Sequence, residues 1–214
     1  ISLVHRAANL GWNDREGAFS YTSTSSVSPL PAGHPTDPYT YPVAQYDHSG
    51  NGISASSAIV GGGVYRGSRV PQLRGLYFFA DFASNPGPIF AVDATQLIER
   101  DDFSNIASLD DGRLAPFVEV PIRDGGVDKD FRQVLRDASG NPNLGRTDTR
   151  FGIGADGDLY VLNKRDGVVR RVAGTAGLPE VPVLPAPAGA ALALALGFVG
   201  TGLARRRRGL TARR

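Results

Sequence analysis

Chemistry-bearing side chains are sparse in this sequence, and their spacing excludes more than it assigns. His5, His34 and His48 lie scattered through loop-like sequence with no i, i+4 spacing, and no Glu or Cys accompanies them as metal ligation would require. Packing or surface roles are the ordinary reading; His48, in "YDHSGNG" just ahead of a strand-like run, is retained as a candidate ligand-binding residue. Asp101-Asp102, Asp110-Asp111-Gly112 and the run Asp124 to Asp130 offer hard oxygen ligands for calcium. None has the Asp-x-Asp-x-Asp-Gly spacing of an EF-hand, so solvated turns account for them and no metal ligand is assigned. Trp12 with Tyr39, Tyr41 and Tyr46 would make an aromatic platform for a sugar ring, while packing under loops explains the same residues. Trp12 is kept as the second candidate ligand-binding residue. Gly61 to Gly63 do not open a helix, so close backbone packing explains them better than a phosphate cradle.

Charge narrows the partners. The chain has 214 residues and a formal net charge of +2. Six of its 23 Lys and Arg residues fall between Arg205 and Arg214, so the body keeps 17 cations against 21 acids, or −4. With no basic stripe interleaved with aromatics in that body, nucleic acid is not an expected partner. Cysteine is absent, which removes disulfides, zinc-thiolate sites and Cys nucleophiles. The first residue is Ile1, as in a fragment or processed product.

The elements that must position any site are short strands. Residues 1–57, rich in Ser, Thr, Pro, Gly and Tyr, predict long loops around short strands. "SAIVGGGVYRG" and "GLYFFADFASNPGPIFAVD" predict strands, the latter two runs joined by the turn "SNPG". "LAPFVEVPI" alternates like a further strand, at an edge because of Pro116 and Pro121. In "RFGIGADGDLYVLNKRDGVVRRV", Asp156-Gly157 and Asp166-Gly167 separate three strand-like runs, predicting a three-stranded meander. Helix signals are weak, at "DATQLIERDDF" and "KDFRQVLRD". "GLYFFAD…NPGPIFAVD" and "GDLYVLN…RDGVVRRV" share an outline, and repeated meanders suit a β-propeller somewhat better than a sandwich.

Three stretches together carry a family resemblance. "ANLGWNDREG" (Ala8 to Gly17), "AIVGGGVYRGSRVPQLRGLYFFADF" (Ala58 to Phe82) and "TRFGIGADGDLYVLNKRDGVVRRV" (Thr149 to Val172) resemble segments of the glucose/sorbosone dehydrogenase family and its hedgehog-interacting-protein-like relatives. The likeness runs over roughly residues 1–173, with a poorly matched middle. It implies an all-β fold, the last two or three blades of a six-bladed β-propeller. Catalytic members of the family bind pyrroloquinoline quinone (PQQ), with calcium, and oxidise sugars. Lys and Arg donors hold the anionic quinone, and a His acts as base. By this resemblance the catalytic His lies upstream of this chain and Arg150 is the one inherited cofactor contact. Phe82, Ala83 and Ser84 stand where the family's Lys would be, and Asp148 replaces the first arginine of an Arg-x-Arg pair. A non-catalytic propeller binding carbohydrate or a protein partner is therefore the first functional expectation, and an active PQQ-dependent sugar dehydrogenase is the alternative.

The end of the chain has its own organisation. Residues 177–187 are a Pro-rich linker, 188–204 an uncharged Ala/Leu/Gly run, and 205–214 an Arg-rich tail. As a helix the uncharged run would span about 25 Å, slightly short of a ~30 Å hydrocarbon core. The expectation is thus a single C-terminal hydrophobic helix after a propeller body at 1–176, with the arginines cytoplasmic. The order of Pro motif, apolar run and Arg cluster resembles the PEP-CTERM sorting signal, with Val181, Pro182, Pro185 and Pro187 in the motif. It implies a bacterial protein exported to the cell envelope or beyond, handled by an exosortase, held transiently in the inner membrane, and in some cases attached to surface polysaccharide. Intact-mass measurement on the mature protein is expected to show loss of everything after about Pro187; recovery of Arg214 would leave a permanent anchor instead.

Overall fold

A computed structural model of the chain describes residues 1–23, 26–30, 38–46, 58–82, 87–99, 114–175 and 196–199. Among the described residues the structure is mostly β, with strands in three sheets and one α-helix. The first sheet is a small meander of β1 (Arg15–Glu16), β2 (Phe19–Ser23) and β3 (Ser26–Ser28). The second is a four-stranded antiparallel meander of β4 (Ile59–Val64), β5 (Leu76–Asp81), β6 (Ile89–Asp93) and β7 (Val118–Glu119). The third sheet uses β8 (Ile122–Asp124), β9 (Val127–Lys129), β10 (Thr149–Ile153), β11 (Leu159–Asn163), β12 (Val169–Gly174) and β13 (Leu196–Val199). Its spatial order is β10-β11-β12-β13-β8-β9.

The run "LYFFA" that opens β5 is continuously hydrophobic because the strand is covered on both faces. Leu76, Phe78 and Ala80 point to the main core, shared with Leu159, Val161 and Val172 of the third sheet and with Phe131 and Leu135. The alternate residue Phe79 turns the other way, against Phe90, Val92 and Ala44. That second cluster is aromatic, with Phe117 edge-on to both Phe79 and Phe90 at 5.3 and 5.4 Å. Burying a Phe on each face stabilises by about 1.5–3 kcal/mol per side chain before entropy is charged.

The second and third sheets meet through their first strands. A Cβ on Gly62 of β4 would lie 2.9 Å from Phe151 Cγ of β10, and one on Gly63 would lie 3.0 Å from Ile153 Cγ1. The triple glycine is thus what lets two aromatic-rich meanders approach. Two meanders packed first strand to first strand fit adjacent propeller blades, and β5–β6 corresponds to β11–β12 as the repeated sequence outline suggests.

The meander expected over Arg150 to Val172 forms as β10, β11 and β12, with Gly157 and Gly167 at φ +80° and +69° in the connecting loops. Three expectations change. "LAPFVEVPI" is not one strand, because Pro121 lacks the N–H a ladder needs; β7 stays with β6, while β8 crosses to the third sheet. "KDFRQVLRD" forms a firm helix, α1 (Phe131–Ser139), capped by the Asp130 carboxylate accepting from the Gln133 N–H and closed by Gly140 in the left-handed region. "DATQLIERDDF" yields only a 3-10 turn at Ala94–Gln96 capped by Asp93, and its last residues fall outside the described ones.

Of the C-terminal helix expected over 188–204, only residues 196–199 are among the described ones. Leu196–Val199 form a strand, antiparallel to β12 and parallel to β8, and no helix among the described residues is long and apolar enough to cross a membrane. The remainder of the run, the sorting motif and the arginine tail lie outside the described residues.

A buried carboxylate joins the sheets. Asp158, at the end of the β10–β11 loop, accepts from Tyr65 Oη at 2.9 Å and from Arg69 Nε at 3.0 Å. Gly67 N–H donates to Gly157 O at 2.9 Å. A Cβ at Gly157 would come within 2.8 Å of the Arg66 carbonyl carbon, on top of the left-handed backbone penalty. Gly140 has φ +66° with nothing near its Cβ position. Gly157→Ala is therefore expected to lower the thermal midpoint more than Gly140→Ala, which incurs only the backbone cost of about 1–2 kcal/mol; equal losses in paired melts would contradict the close approach.

Candidate functional site

The residues singled out beside the last hairpin do come together, around Phe82. Phe82 follows β5 and bonds β10 through Thr149 N–H, which donates to its carbonyl at 3.3 Å. The Arg150 guanidinium lies 4.1 Å from the Phe82 ring centroid and that of Arg146 lies 5.1 Å away. Arg150 is exposed and is held by one short contact, its Nη1 donating to the Thr149 carbonyl at 2.8 Å. The result is a shelf with an aromatic floor and two guanidinium groups over it.

Asp148 does not face this shelf as a repelling charge. It is 3% exposed and sits at φ +48°, a conformation Asp tolerates better than most residues. Its carboxylate accepts from Arg165 Nε at 2.6 Å and lies 3.2 Å from Arg146 Nε and 4.0 Å from Lys164 Nζ. One buried acid thus gathers three cations, and with Arg150 the neighbourhood is net positive. Sequence reasoning saw a reversal of sign at position 148. The fold instead uses that acid to assemble positive charge.

The shelf meets part of what a tricarboxylate quinone demands. Such a group needs several cationic donors and a base beside its reactive carbonyl. Of Phe82, Ala83 and Ser84, which stand where the lysine is expected, Phe82 carries no charge and the other two lie outside the described residues; Asp148 is turned inward, and His5, the one histidine among the described residues, has its Nε2 3.0 Å from Glu99. Among the described residues the donors expected for the quinone reduce to Arg150, and Arg150 alone does not make a fitting set. For calcium, the acids of the Asp124 to Asp130 run are already engaged. Asp124 binds Lys129 at 2.9 Å, Asp128 binds Arg123 at 2.7 Å, and Asp130 caps α1. Bonding to Arg123 holds the Asp128 carboxyl below the usual carboxylate range. No group of three or more potential metal-ligating side chains lies together among the described residues.

The aromatic platform assembles differently from expectation. Trp12 is 70% exposed and stacks at a tilt on Tyr21, with centroids 4.9 Å apart. Tyr39 instead sits under Arg15, whose guanidinium is 4.9 Å from its ring, while its hydroxyl donates to Asp14 at 2.6 Å. Tyr41 Oη accepts from Arg15 Nε at 3.2 Å. Tyr46 belongs to the second core cluster and donates to the buried Asp81 at 3.2 Å. Burial, reinforced by the Asp81 charge, pushes the Tyr46 hydroxyl well above its ordinary range. Trp12 with Tyr21 is therefore an open aromatic surface, whereas Tyr46 is a packing residue. His48 lies outside the described residues.

Sequence reasoning missed the partnership of Asp158 with Tyr65 and Arg69, and missed Arg146 altogether. The signal for the first was present as the second acid of "DGD" beside a Tyr-Arg-Gly motif far away in the chain. Arg69 is tied to Asp158, and Arg66 is exposed with only a 3.5 Å contact to the Val64 carbonyl. A second concavity, of about 290 Å³, is lined by Ile89, Glu119, Lys129, Asp130 and Phe131. Burial and then the nearby Asp130 raise the Glu119 carboxyl above its usual value, but Lys129 is drawn off to Asp124 and Asp137.

Comparison with curated proteins gives partial likeness. Over 87 residues, 40% of this chain, the sequence is 31% identical to the HIPL2 protein of Arabidopsis thaliana. That stretch spans 12% of the Arabidopsis protein. No family model matches the chain, and no solved structure matches it.

Asp148→Asn keeps the backbone conformation accessible while removing the charge that gathers Arg146, Lys164 and Arg165. It is expected to cost about 1–3 kcal/mol in chemical denaturation. A neutral result would show that these cations hold their places without it.

Proposed function

We propose that this chain is part of an exported β-propeller protein of the glucose/sorbosone dehydrogenase-like kind that binds carbohydrate without turning it over. The observation that carries the reading is the Phe82 shelf, where Arg146 and Arg150 lie over an aromatic ring and Asp148 organises further cations beside them. Aromatic faces suit the C–H faces of sugar rings, and guanidinium groups suit carboxylates with paired donors. An acidic polysaccharide supplies both, so a uronate-type surface glycan is the substrate class this shelf favours. Trp12 and Tyr21 offer a second stacking surface of the same kind.

The partial likeness to a HIPL-type protein and the two packed meanders support a propeller. The resemblance of the Val181–Pro187 motif and Arg205–Arg208 to a sorting signal supports export and exosortase processing. PQQ-dependent sugar oxidation is the second reading, supported by Arg150 alone.

Titration of the full chain with polygalacturonate and with neutral dextran separates these ideas. Polygalacturonate should bind in a salt-sensitive manner and dextran weakly, with Arg150→Ser weakening the former by about tenfold, equivalent to ~1.4 kcal/mol. Equal binding of both polymers, or no effect of Arg150→Ser, would remove the shelf from the account. Sugar-dependent dye reduction on adding the quinone and calcium would favour the dehydrogenase.

A further inference from the structure

Three polar side chains on the inner face of the last meander have unused hydrogen-bonding atoms. Thr149 and Asn163 are directly opposed on β10 and β11, and the next inward pair is Phe151 and Val161. Val161 in turn opposes Arg170 on β12, so alternation puts Thr149, Asn163 and Arg170 on one face, with the main core. They are 0%, 4% and 4% exposed. Thr149 Oγ1, Asn163 Nδ2 and Arg170 Nη1 are each buried without a hydrogen-bond partner.

Strand register makes these three side chains neighbours, Thr149 directly opposite Asn163 and Arg170 diagonal to it, and their other contacts orient two of them. Arg170 Nη2 donates to Asp166 Oδ2 at 2.6 Å, which draws the guanidinium back along β12 towards the Lys164–Val168 loop and so past Asn163. Phe131 of α1 lies against the same guanidinium, 5.9 Å from its ring centroid. Asn163 is fixed by its other atom, since Oδ1 accepts from the Arg165 N–H at 2.7 Å. That bond leaves the amide NH2 aimed elsewhere. Directly opposed side chains sit about 4.5–5.5 Å apart at Cβ, and diagonal ones remain in reach of a long side chain.

An amide NH2 and a guanidinium can only donate, and a hydroxyl can donate as well. Leaving three such atoms empty in a core would cost about 1–3 kcal/mol each. One acceptor able to take several donors at once would satisfy all three. A water accepts two, whereas a halide ion accepts three or more. Charge points the same way: this end of the sheet carries Arg146, Arg150, Lys164, Arg165 and Arg170 against Asp148 and Asp166.

We propose that Thr149, Asn163 and Arg170 form a buried binding site for a monovalent anion of the chloride class. The site is independent of the carbohydrate reading, yet it lies beneath the same shelf. Thr149 precedes Arg150, and Asn163 precedes Lys164 and Arg165, so an ion here braces the strands that carry the shelf cations.

Two measurements on the full chain test this. Crystals grown in bromide should show an anomalous peak among the three atoms. The thermal midpoint should also rise with the logarithm of chloride concentration when gluconate holds ionic strength constant. Asn163→Asp places a carboxylate beside Arg170 and supplies the acceptor internally, so this variant should fold and lose the chloride dependence. A water in place of bromide, or an equal chloride response in the wild-type protein and Asn163→Asp, would overturn the site. If Asn163→Asp does not fold, the anomalous peak alone decides.

Discussion

A single carboxylate in a dry place holds the two larger sheets in one arrangement. Asp158 is 2% exposed and has Tyr65 Oη and Arg69 Nε as its partners. The Tyr65 hydroxyl also accepts from the Val70 N–H at 3.1 Å. Burial together with the Asp158 carboxylate pushes that hydroxyl above its ordinary range, although the Val70 N–H opposes the shift. A buried charge is tolerable only when its partners are in place, so the loop after β4 and the loop before β11 cannot separate without exposing an unpaired charge. Gly67 and Gly157 follow from the same demand, since side chains there would occupy the space of Tyr65 and of the facing backbone.

Once those loops are locked, β4 and β10 are held face to face and the far end of β10 is carried to the end of β5. The Phe82 shelf arises at that far end, where Thr149 bonds the Phe82 carbonyl and Arg150 covers its ring. The cations there would repel one another without Asp148. Placing that acid at 3% exposure among Arg146, Lys164 and Arg165 turns a cluster of like charges into a positioned surface with excess positive charge. The shelf is cationic although the chain's body is acidic, because local geometry, and not net charge, decides what a ligand meets.

Part of the candidate site was legible and part was not. Arg150, Phe82 and Asp148 could be picked out because they interrupt a familiar order of residues around the last hairpin. The role of Asp148 could not, because a carboxylate pointing to solvent and one buried among three cations are the same letter in sequence. Trp12 could be picked out as an aromatic candidate, but the ring it stacks on is Tyr21 and none of the tyrosines first grouped with it. Tyr46 looked like a platform residue and is a core residue, since the phenylalanines of β5 and β6 needed covering.

Local rules in the sequence determined the strands β4, β5, β6, β10, β11 and β12, the Asp-Gly loops of the last meander, and the mostly β character of the body. Alternation and turn residues act within a few positions of one another, so they can be read directly. Tertiary structure alone decided where β8 belongs, that Leu196–Val199 pair as a strand, and which donors Asp148, Asp158 and Arg170 acquire. Each of those outcomes depends on an edge or a charge contributed from elsewhere in the chain, and the energy of a buried charge or an unpaired edge exists only once its distant partner has arrived.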